Sequence, residues 1–414
     1  MRVTQSMLSN SNLKYISQSY NRFGKLQDQL NSGKKITRPS DDPVVAMKGM
    51  RYRSQVVEID QFRRNLNEGF NWLDNSDSAL DETGQVLNRV RDLVVQASND
   101  SYNEASRKNI EKEISRLQEH LVAMANSRVG ENYIFNGTDT AKAPINESLF
   151  NVDFNKFSSD LAAAASGSPT ADAAPDEYVI SYNGQTYKYD KDKSVGNVAA
   201  FTIQPEVKYK VLDANGNEVE ITGPSASLSI DFSGSPATVK HTQLEEQKNL
   251  NGAMIETTTD LSSNNLVISN KNAVSTNNQD VEIEVMKGVK IPININSQDA
   301  FSIEMFSGLE SIKKMLTDPT TKATEITKAL DSIDGYLDDI VSTRAELGAQ
   351  INRAEMVDSR LLDQRVVAKK TVSENEDIDF EEAIINLTIQ ESVHRASLAI
   401  GARIIQPTLM DFLR

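Results

Sequence analysis

Cysteine is absent from the 414-residue sequence, and tryptophan occurs only once, as Trp72. Without cysteine the chain can form neither disulfide bonds nor thiolate metal sites. It has no run of the roughly 18 apolar residues that a membrane-spanning helix needs, and its first residues, MRVTQSMLSN, lack the apolar core of a cleavable signal. The net charge of -15 disfavours nucleic acid as a partner. We therefore expect an acidic, helix-rich protein that binds neither nucleic acid nor membrane.

Catalytic chemistry has little support in the sequence. The three histidines, His120, His241 and His394, are far apart along the chain. Four patterns typical of catalytic or nucleotide sites are missing, namely H-E-x-x-H, the P-loop, G-x-G-x-x-G and G-x-S-x-G. The run DANGNE at 213–218 resembles a calcium loop but lacks its spacing and its distal glutamate, which favours a hairpin turn. We expect no enzymatic activity, no metal and no cofactor.

Apolar residues recur at alternating steps of four and three along three stretches, which is typical of packed helices. The stretches run from Ile59 to Val94, from Ile110 to Met124 and from Ile326 to Ala368. Each of these stripes must be covered by another helix. Four residues that are not large and apolar occupy positions of the first stripe: Arg63, Asp77, Gly84 and Arg91.

The two ends of the chain carry weaker helical stripes. Both end segments are short and interrupted by polar residues, so each is marginal alone and is expected to order by pairing with the other or with copies of itself. Pro407 cannot continue the last helix without the loss of a hydrogen bond. The predicted assembly surface comprises Leu13, Ile16, Tyr20, Phe23 and Leu30 near the start, and Ile384, Leu387, Leu398, Ile405, Leu409, Phe412 and Leu413 near the end.

The segment QLNSGKKITRPSDDPVVAM, residues 29–47, predicts a break between two helices. Gly33 is suited to the left-handed cap at the end of the first helix, and Pro39 favours an extended backbone at the preceding residue. Asp41 and Asp42 can accept hydrogen bonds from the free N–H groups at the start of the next helix, and Pro43 suits its first position. These residues predict a short connector.

The centre of the chain differs in character from both ends. No arginine occurs between Arg128 and Arg344, and several short runs alternate in the manner of strands. The clearest is YVISYNGQTYKY, in which Asn183 and Gly184 predict a tight hairpin turn. We therefore predict a mainly α protein with an inserted β-rich domain. The predicted domains are an inner coiled-coil domain with its connector at 1–45 and 370–414, a bundle of long helices at 46–144 and 300–369, and the insert at 145–299.

Four stretches together resemble the bacterial flagellin family. They are QLNSGKKITRPSDDPVVAM, RVGENYIFNGTDTAKAPI at 128–145, TRAELGAQINRAE at 343–355, and the last helix from IDFEEAII to the end. The RPSDDP and ENYIFNGT variants are similar to the hook-associated junction proteins of that family rather than to its filament subunits. The resemblance implies a flagellin-like fold, in which the terminal helices form an inner domain that orders on assembly.

The resemblance also implies a structural function outside the cell. It implies a homo-oligomeric ring or layer at the hook–filament junction, in contact with the other junction protein and with flagellin. It further implies type III export and an export chaperone that covers the C-terminal helix. The alternative is flagellin itself, the filament subunit, with a variable outer domain. A third interpretation is a secreted enzyme or adhesin on a flagellin-like scaffold. The insert lacks ligand-rich clusters, which disfavours an enzyme.

Overall fold

The computed structural model describes residues 5–99, 104–165, 175–212, 218–234, 236–246 and 254–411. The side chains of residues 5–6, 164–165, 210–212, 218–221, 245–246, 254–255 and 403–411 lie outside that description. The chain divides into two compact units. The terminal unit comprises Met1–Leu66, Val285–Lys287 and Glu355–Arg414, and the central unit comprises Asn67–Glu284 and Gly288–Ala354. The division into three domains stays a prediction.

Helices account for most of the described residues, and all the predicted long helices are present. The apolar stripes fall within three of these helices. Apolar residues that recur every 3.5 to 3.6 residues lie on one face of the chain only if the chain is helical. Pro407 does not end the last helix, which continues to Asp411. The helices are α1 Gln5–Ser32, α2 Pro43–Ala97, α3 Glu104–Ala125, α4 Phe154–Ala165, α5 Ser297–Ala300, α6 Ile303–Thr317, α7 Ala323–Glu376 and α8 Phe380–Asp411.

The polar residues in the α2 stripe form ion pairs with α7. In the central unit, Arg91 Nε lies 2.6 Å from Asp334 Oδ1. Arg344 of α7 contacts both Asp77, at 3.1 Å, and Asp81, at 2.6 Å. These positions, which interrupt the apolar pattern in the sequence, are therefore contacts between the two helices.

The terminal unit repeats this arrangement with its own residues. Arg63 Nε of α2 lies 2.9 Å from Asp358 Oδ1 of α7, and Arg365 Nε of α7 lies 2.7 Å from Asp60 Oδ1 of α2. All four side chains are about one-quarter to one-third exposed. Partly exposed pairs of this kind contribute little free energy, roughly 0–1 kcal/mol each, but they favour one register of the two helices.

The strands form an antiparallel sheet of seven, in the order β10-β9-β8-β5-β4-β3-β11, and three two-stranded pairs. One face of the large sheet packs against α4 through Phe157 and Leu161, which are almost fully buried. The strands are β1 Arg128–Val129, β2 Asn132–Tyr133, β3 Tyr178–Tyr182, β4 Gln185–Val195, β5 Val198–Thr202, β6 Val207–Leu212, β7 Glu218–Gly223, β8 Ala226–Asp231, β9 Thr238–Glu246, β10 Met254–Leu261, β11 Val267–Asn270, β12 Glu282–Met286 and β13 Val289–Pro292.

The predicted hairpin turn is confirmed. Asn183 and Gly184 join β3 to β4 with φ angles of 51° and 73°, as the tight turn of a twisted hairpin requires. The turn packs against two helices: the Gly184 N–H donates to Ser311 Oγ of α6 at 3.0 Å. A Cβ on Gly184 would lie only 2.7 Å from the Cβ of Ala329 in α7. The turn therefore anchors the sheet to the helices of the central unit.

We expect Gly184→Ala to destabilise the central unit more than an alanine at an equally left-handed but uncrowded glycine. Gly196 is the matched control, because its φ is 61° and no atom lies within 4 Å of the added Cβ. Both variants bear the backbone strain of about 1–2 kcal/mol, and only Gly184→Ala adds an overpacking cost of roughly 1–3 kcal/mol. Denaturant unfolding of both variants measures the difference. Equal destabilisation would show that the contact with Ala329 is unimportant.

Candidate assembly surface and connector

Exposed apolar side chains are concentrated in the terminal unit. Among the described residues, all but four of the exposed large apolar side chains belong to it, although it holds less than a third of the chain. The four exceptions are Val95, Val195, Val207 and Val341. Isolated exposed apolar residues are ordinary, whereas a concentration of them marks an interaction surface. The terminal unit is thus the candidate assembly surface.

Helices α1 and α8 pack against each other in antiparallel directions. Gln390 Nε2 of α8 donates to Ser19 Oγ of α1 at 2.9 Å. Ile16 Cδ1 lies 3.2 Å from the position that a Cβ on Gly401 would occupy. The row of α8 that faces α1 also includes the buried Ala383, so it is built largely from small and polar residues. Small residues let the two helices approach closely but bury little apolar area.

The residues of the predicted α1 stripe differ in their burial. Ile16, Phe23 and Leu30 are partly buried, but Leu13 and Tyr20 are exposed. Between Ile16 and Phe23, the buried Ser19 accepts a hydrogen bond from Gln390 of α8, and the exposed Tyr20 has its ring 6.0 Å from that of His394 in α8. Two rows of heptad spacing along α1 share residues 16, 23 and 30. Between residues 16 and 23, the predicted row passes through residue 20 and the other row passes through residue 19. Apolarity favours the row through Tyr20, whereas burial follows the row through Ser19.

The structure also separates the residues predicted in α8. Leu387 is partly buried, whereas Ile384 and Leu398 are exposed. The side chains of Ile405 and Leu409, and the whole of Phe412 and Leu413, lie outside the described residues. The role of all these residues in assembly stays a prediction.

A second stripe of α8, which the sequence analysis missed, is exposed. Ile385, Ile389, Val393 and Ile400 recur at steps of four, four and seven, and each side chain is about half exposed. These steps place the four residues on one face of the helix. We call them the α8 stripe. The sequence signal was present, because this row is more apolar than the one that faces α1.

The connector between α1 and α2 has the predicted caps. Gly33 ends α1 with a φ of 67°, and α2 begins at Pro43. Asp42 Oδ1 accepts from the N–H groups of Val44 and Val45, at 3.0 and 3.1 Å. Asp41 instead stabilises the connector itself, since its Oδ2 accepts from the Arg38 N–H at 3.0 Å. This hydrogen bond is the main reason that the pKa of Asp41 is lowered. Pro39 lies within the connector as predicted.

The connector pairs with the segment that joins α7 to α8. The Lys35 N–H donates to the Glu376 carbonyl at 2.6 Å, and the Ile378 N–H donates to the Gly33 carbonyl at 3.0 Å. The two segments therefore run antiparallel, with Lys34 opposite Asp377. We call this pairing the connector bridge. The sequence analysis predicted the first segment but not its partner, which is more than 300 residues away.

Charged side chains surround the connector bridge. Glu376 is only 5% exposed, and its carboxylate lies 2.8 Å from Arg53 Nε and 3.6 Å from Lys34 Nζ. Lys34 Nζ also donates to Asp377 Oδ1 at 2.7 Å. This hydrogen bond lowers the pKa of Asp377 and raises that of Lys34. Gly49 leaves room for the Glu376 carboxylate, since a Cβ there would lie 2.2 Å from Oε1.

We expect Lys34→Glu to loosen the connector bridge, because it places three carboxylates together. The cost is up to about 1 kcal/mol, since Lys34 and Asp377 are partly exposed and Glu376 keeps its ion pair with Arg53. Hydrogen exchange at the Lys35 and Ile378 amides measures it, and exchange is expected to speed up. The double variant with Asp377→Lys restores a pair of opposite charges and is expected to restore protection. Unchanged exchange in the single variant would contradict an electrostatic role.

The same ion pair has a defined pH range. Because the pKa of Asp377 is lowered, its contribution is present above the ordinary carboxyl value of 3.8 and is lost as pH falls through the lowered value. Because the pKa of Lys34 is raised, its contribution persists up to 10.5 and is lost as pH rises through the raised value. The connector bridge is therefore intact across the physiological range.

The histidines do not converge on a site. His120 Nε2 lies 2.9 Å from Glu82 Oε1, and His394 of α8 lies beside Tyr20 of α1. His241 is buried in the central unit, with its Nε2 2.9 Å from the Tyr187 hydroxyl. Burial, and secondarily the charge of Lys328, lowers the pKa of His241 to about 4. The ring is therefore neutral at pH 7.

The described residues contain no cluster of three or more side chains that could hold a metal ion. Among them, no helix has the length and apolar character needed to cross a membrane. The terminal unit exposes apolar side chains on its helices. The charged connector bridge links these helices to one another. Such an arrangement can hold subunits together.

Both ends of the chain match descriptions of one family. Residues 3–140 match the bacterial flagellin N-terminal helical region, and residues 330–413 match the bacterial flagellin C-terminal helical region. Together these matches cover more than half of the sequence. The chain belongs to the bacterial flagellin family, whose members are structural components of the flagellum and not enzymes.

Individual relatives come from two branches of flagellar protein. Polar flagellin B/D of Vibrio parahaemolyticus is 27% identical over 94% of this chain and 93% of its own length. Flagellar hook-associated protein 3 of Salmonella typhimurium is 25% identical over 36% of this chain, which spans less than half (47%) of that relative's length. Among solved structures, the flagellar junction protein FlgL from Legionella pneumophila has 17% identity and a TM-score of 0.39, covering 80% of this chain and 100% of that one.

Proposed function

We propose that the chain is a subunit of the junction layer between hook and filament and that flagellin assembles on it. The observation that carries its role as a subunit is the concentration of exposed apolar residues in the terminal unit. Full burial of an Ile or Leu side chain contributes about 1.5–3 kcal/mol. Because the row of α8 that faces α1 is built largely from small and polar side chains, neighbouring subunits are left to bury the apolar surface that remains exposed on the terminal unit.

Two segments favour the junction over the filament. Arg38–Pro43 reads RPSDDP and residues 131–138 read ENYIFNGT, the variants that resemble junction proteins. Both are structured by their own polar groups. Asp41 accepts from the Arg38 N–H, and Asn136 Nδ2 donates to the carbonyls of Asp139 and Lys142, each at 2.9 Å. These hydrogen bonds show that the named side chains stabilise the conformation of their own segments.

The second candidate is a filament subunit. The similarity to polar flagellin B/D over nearly the whole chain favours it, because that relative aligns through the central region as well as the ends. The two candidates share a fold and an assembly surface. They differ in how many copies a flagellum needs.

Copy number therefore tests the proposal. Quantitative mass spectrometry of intact flagella with hooks attached would compare this chain with the major filament protein. We expect a trace amount confined to fragments that contain the hook. A dominant amount along the whole filament would overturn the junction role and leave the filament subunit. The proposed neighbours are copies of this chain, the other junction protein and flagellin, with an export chaperone at the end of α8 before assembly.

A further inference from the structure

A cleft of about 490 Å³ opens in the central unit, and none of its lining residues belongs to the terminal unit. It lies between the β3–β4 turn, the residues that follow β10, and the loop that joins α6 to α7. Its volume falls within the roughly 300–1,000 Å³ typical of small-molecule sites. The cleft thus has room for a ligand.

Several polar groups that line the cleft have unused hydrogen-bonding capacity. Thr321 is 9% exposed, and its hydroxyl, which makes no hydrogen bond within the described part of the chain, is accessible to solvent in the cleft. Asn264 is exposed, and its side-chain amide makes no hydrogen bond among the described residues. Lys314 Nζ donates once, to the Leu266 carbonyl at 2.6 Å, and has no carboxylate within ion-pair distance among those residues. A ligand in the cleft could therefore form hydrogen bonds with all three groups, and the partly buried Lys314 ammonium would gain most from them.

The charges of the cleft disfavour both anions and cations. Three carboxylates, of Asp260, Asp318 and Glu325, line it against the single ammonium of Lys314, which disfavours an anionic ligand. A cation would meet that ammonium. It would also find both Asp318 oxygens engaged: Oδ1 accepts from the Thr320 N–H and hydroxyl, and Oδ2 accepts from Asn265 at 3.2 Å. A neutral ligand with many hydroxyl groups fits these conditions.

An apolar and aromatic surface accompanies the polar groups. The ring of Tyr182 lines the cleft together with Leu261 and Met315. Burial raises the pKa of the Tyr182 hydroxyl and lowers that of the Lys314 ammonium, so both groups are partly withdrawn from water. Sugar rings present a flat apolar face and a rim of hydroxyl groups. Such a ring can pack on an aromatic side chain while donating to carboxylates and accepting from an ammonium.

We propose that this cleft binds a neutral sugar unit of a glycan. Thr321, Asn264 and Lys314 supply hydrogen bonds to its hydroxyl groups, and Tyr182 packs against its ring. Asp260 and Glu325 accept hydrogen bonds from the same ligand. The flagellar subunit would then carry a carbohydrate site on its central unit, independent of the surface through which it assembles.

Saturation-transfer NMR with the full chain tests the proposal, with chitobiose, lactose and mannobiose as the probes. We expect transfer to at least one disaccharide. Thr321→Val and Lys314→Met should each weaken binding roughly tenfold, as expected for one lost hydrogen bond of the stronger kind. The matched control is Thr222→Val, because Thr222 is an exposed threonine that lines a second cleft beside β7. It should leave binding unchanged.

Three results would overturn the proposal. They are no transfer to any of the three probes, equal transfer in the wild type and both cleft variants, or stronger binding of a sulfated disaccharide than of the neutral ones. Circular dichroism establishes that each variant is folded. Because Lys314 is only partly buried, Lys314→Met provides the decisive comparison if Thr321→Val fails to fold.

Discussion

Ile389→Asp is expected to abolish incorporation of the chain into flagella while leaving the isolated chain folded. Ile389 is 56% exposed in the α8 stripe, so the isolated chain loses little by the change. In an assembly the variant loses about 1.5–3 kcal/mol of apolar burial. It also requires the desolvation of a carboxylate, which costs far more unless that group is paired. We expect a loss of incorporation well beyond tenfold, measured as the ratio of assembled to total protein.

Val195→Asp is the matched control for this experiment. Val195 is 76% exposed in the central unit, at the end of β4, and lies outside the candidate assembly surface. Incorporation of that variant should equal that of the wild type. If Ile389→Asp also assembled normally, the α8 stripe would have no part in subunit contacts. A normal circular dichroism spectrum of the isolated variant separates assembly from folding.

The free energy of unfolding of the central unit is expected to fall by up to about 3 kcal/mol between pH 6.5 and pH 4, because of His241. Burial lowers the pKa of this ring from 6.5 to about 4 in the folded chain. In that interval the unfolded chain binds a proton that the folded chain does not. Stability is therefore full above pH 6.5 and decreases as pH falls towards 4.

His241→Gln should remove this part of the pH dependence. The glutamine amide can still pair with the Tyr187 hydroxyl, which lies 2.9 Å from His241 Nε2, and it does not titrate. The matched control is His120→Gln, because His120 is on the surface beside Glu82. Denaturant unfolding at a series of pH values measures all three proteins. A wild-type curve no steeper than that of His241→Gln would contradict the role of His241.

Local sequence signals predicted the helices and the hairpin well. The stripe of α7 and the Asn183–Gly184 turn each depend on residues within one stretch of chain. The sequence of that stretch is therefore enough to predict them. The start of α2 is another case, since Asp42 and Pro43 need only the next two residues to act as a cap. The same holds for the end of α1, where Gly33 adopts the left-handed conformation that its lack of a side chain permits.

Contacts between distant segments were not predictable. Arg63, Asp77 and Arg91 interrupt an apolar stripe in the sequence, and only the position of α7 shows that each has a carboxylate or guanidinium partner. The connector bridge is similar, because nothing near Lys34 indicates Asp377. The role of the predicted assembly residues stays a prediction. Leu13, Tyr20, Ile384 and Leu398 are exposed, but the α8 stripe was missed because the small and polar row that faces α1 was not expected to be the buried one.

The connector bridge constrains the order in which the two units can fold during synthesis. Lys34 and Asp377 are 343 positions apart. During synthesis α1 emerges first and α8 last, so Ile16 and Phe23 lack their partner helix until nearly every residue has been added. The central unit needs nothing beyond Ala354 and can acquire its native contacts earlier. A nascent chain that ends before Asp377 would contain a folded central unit and an α1 that lacks its partner helix α8.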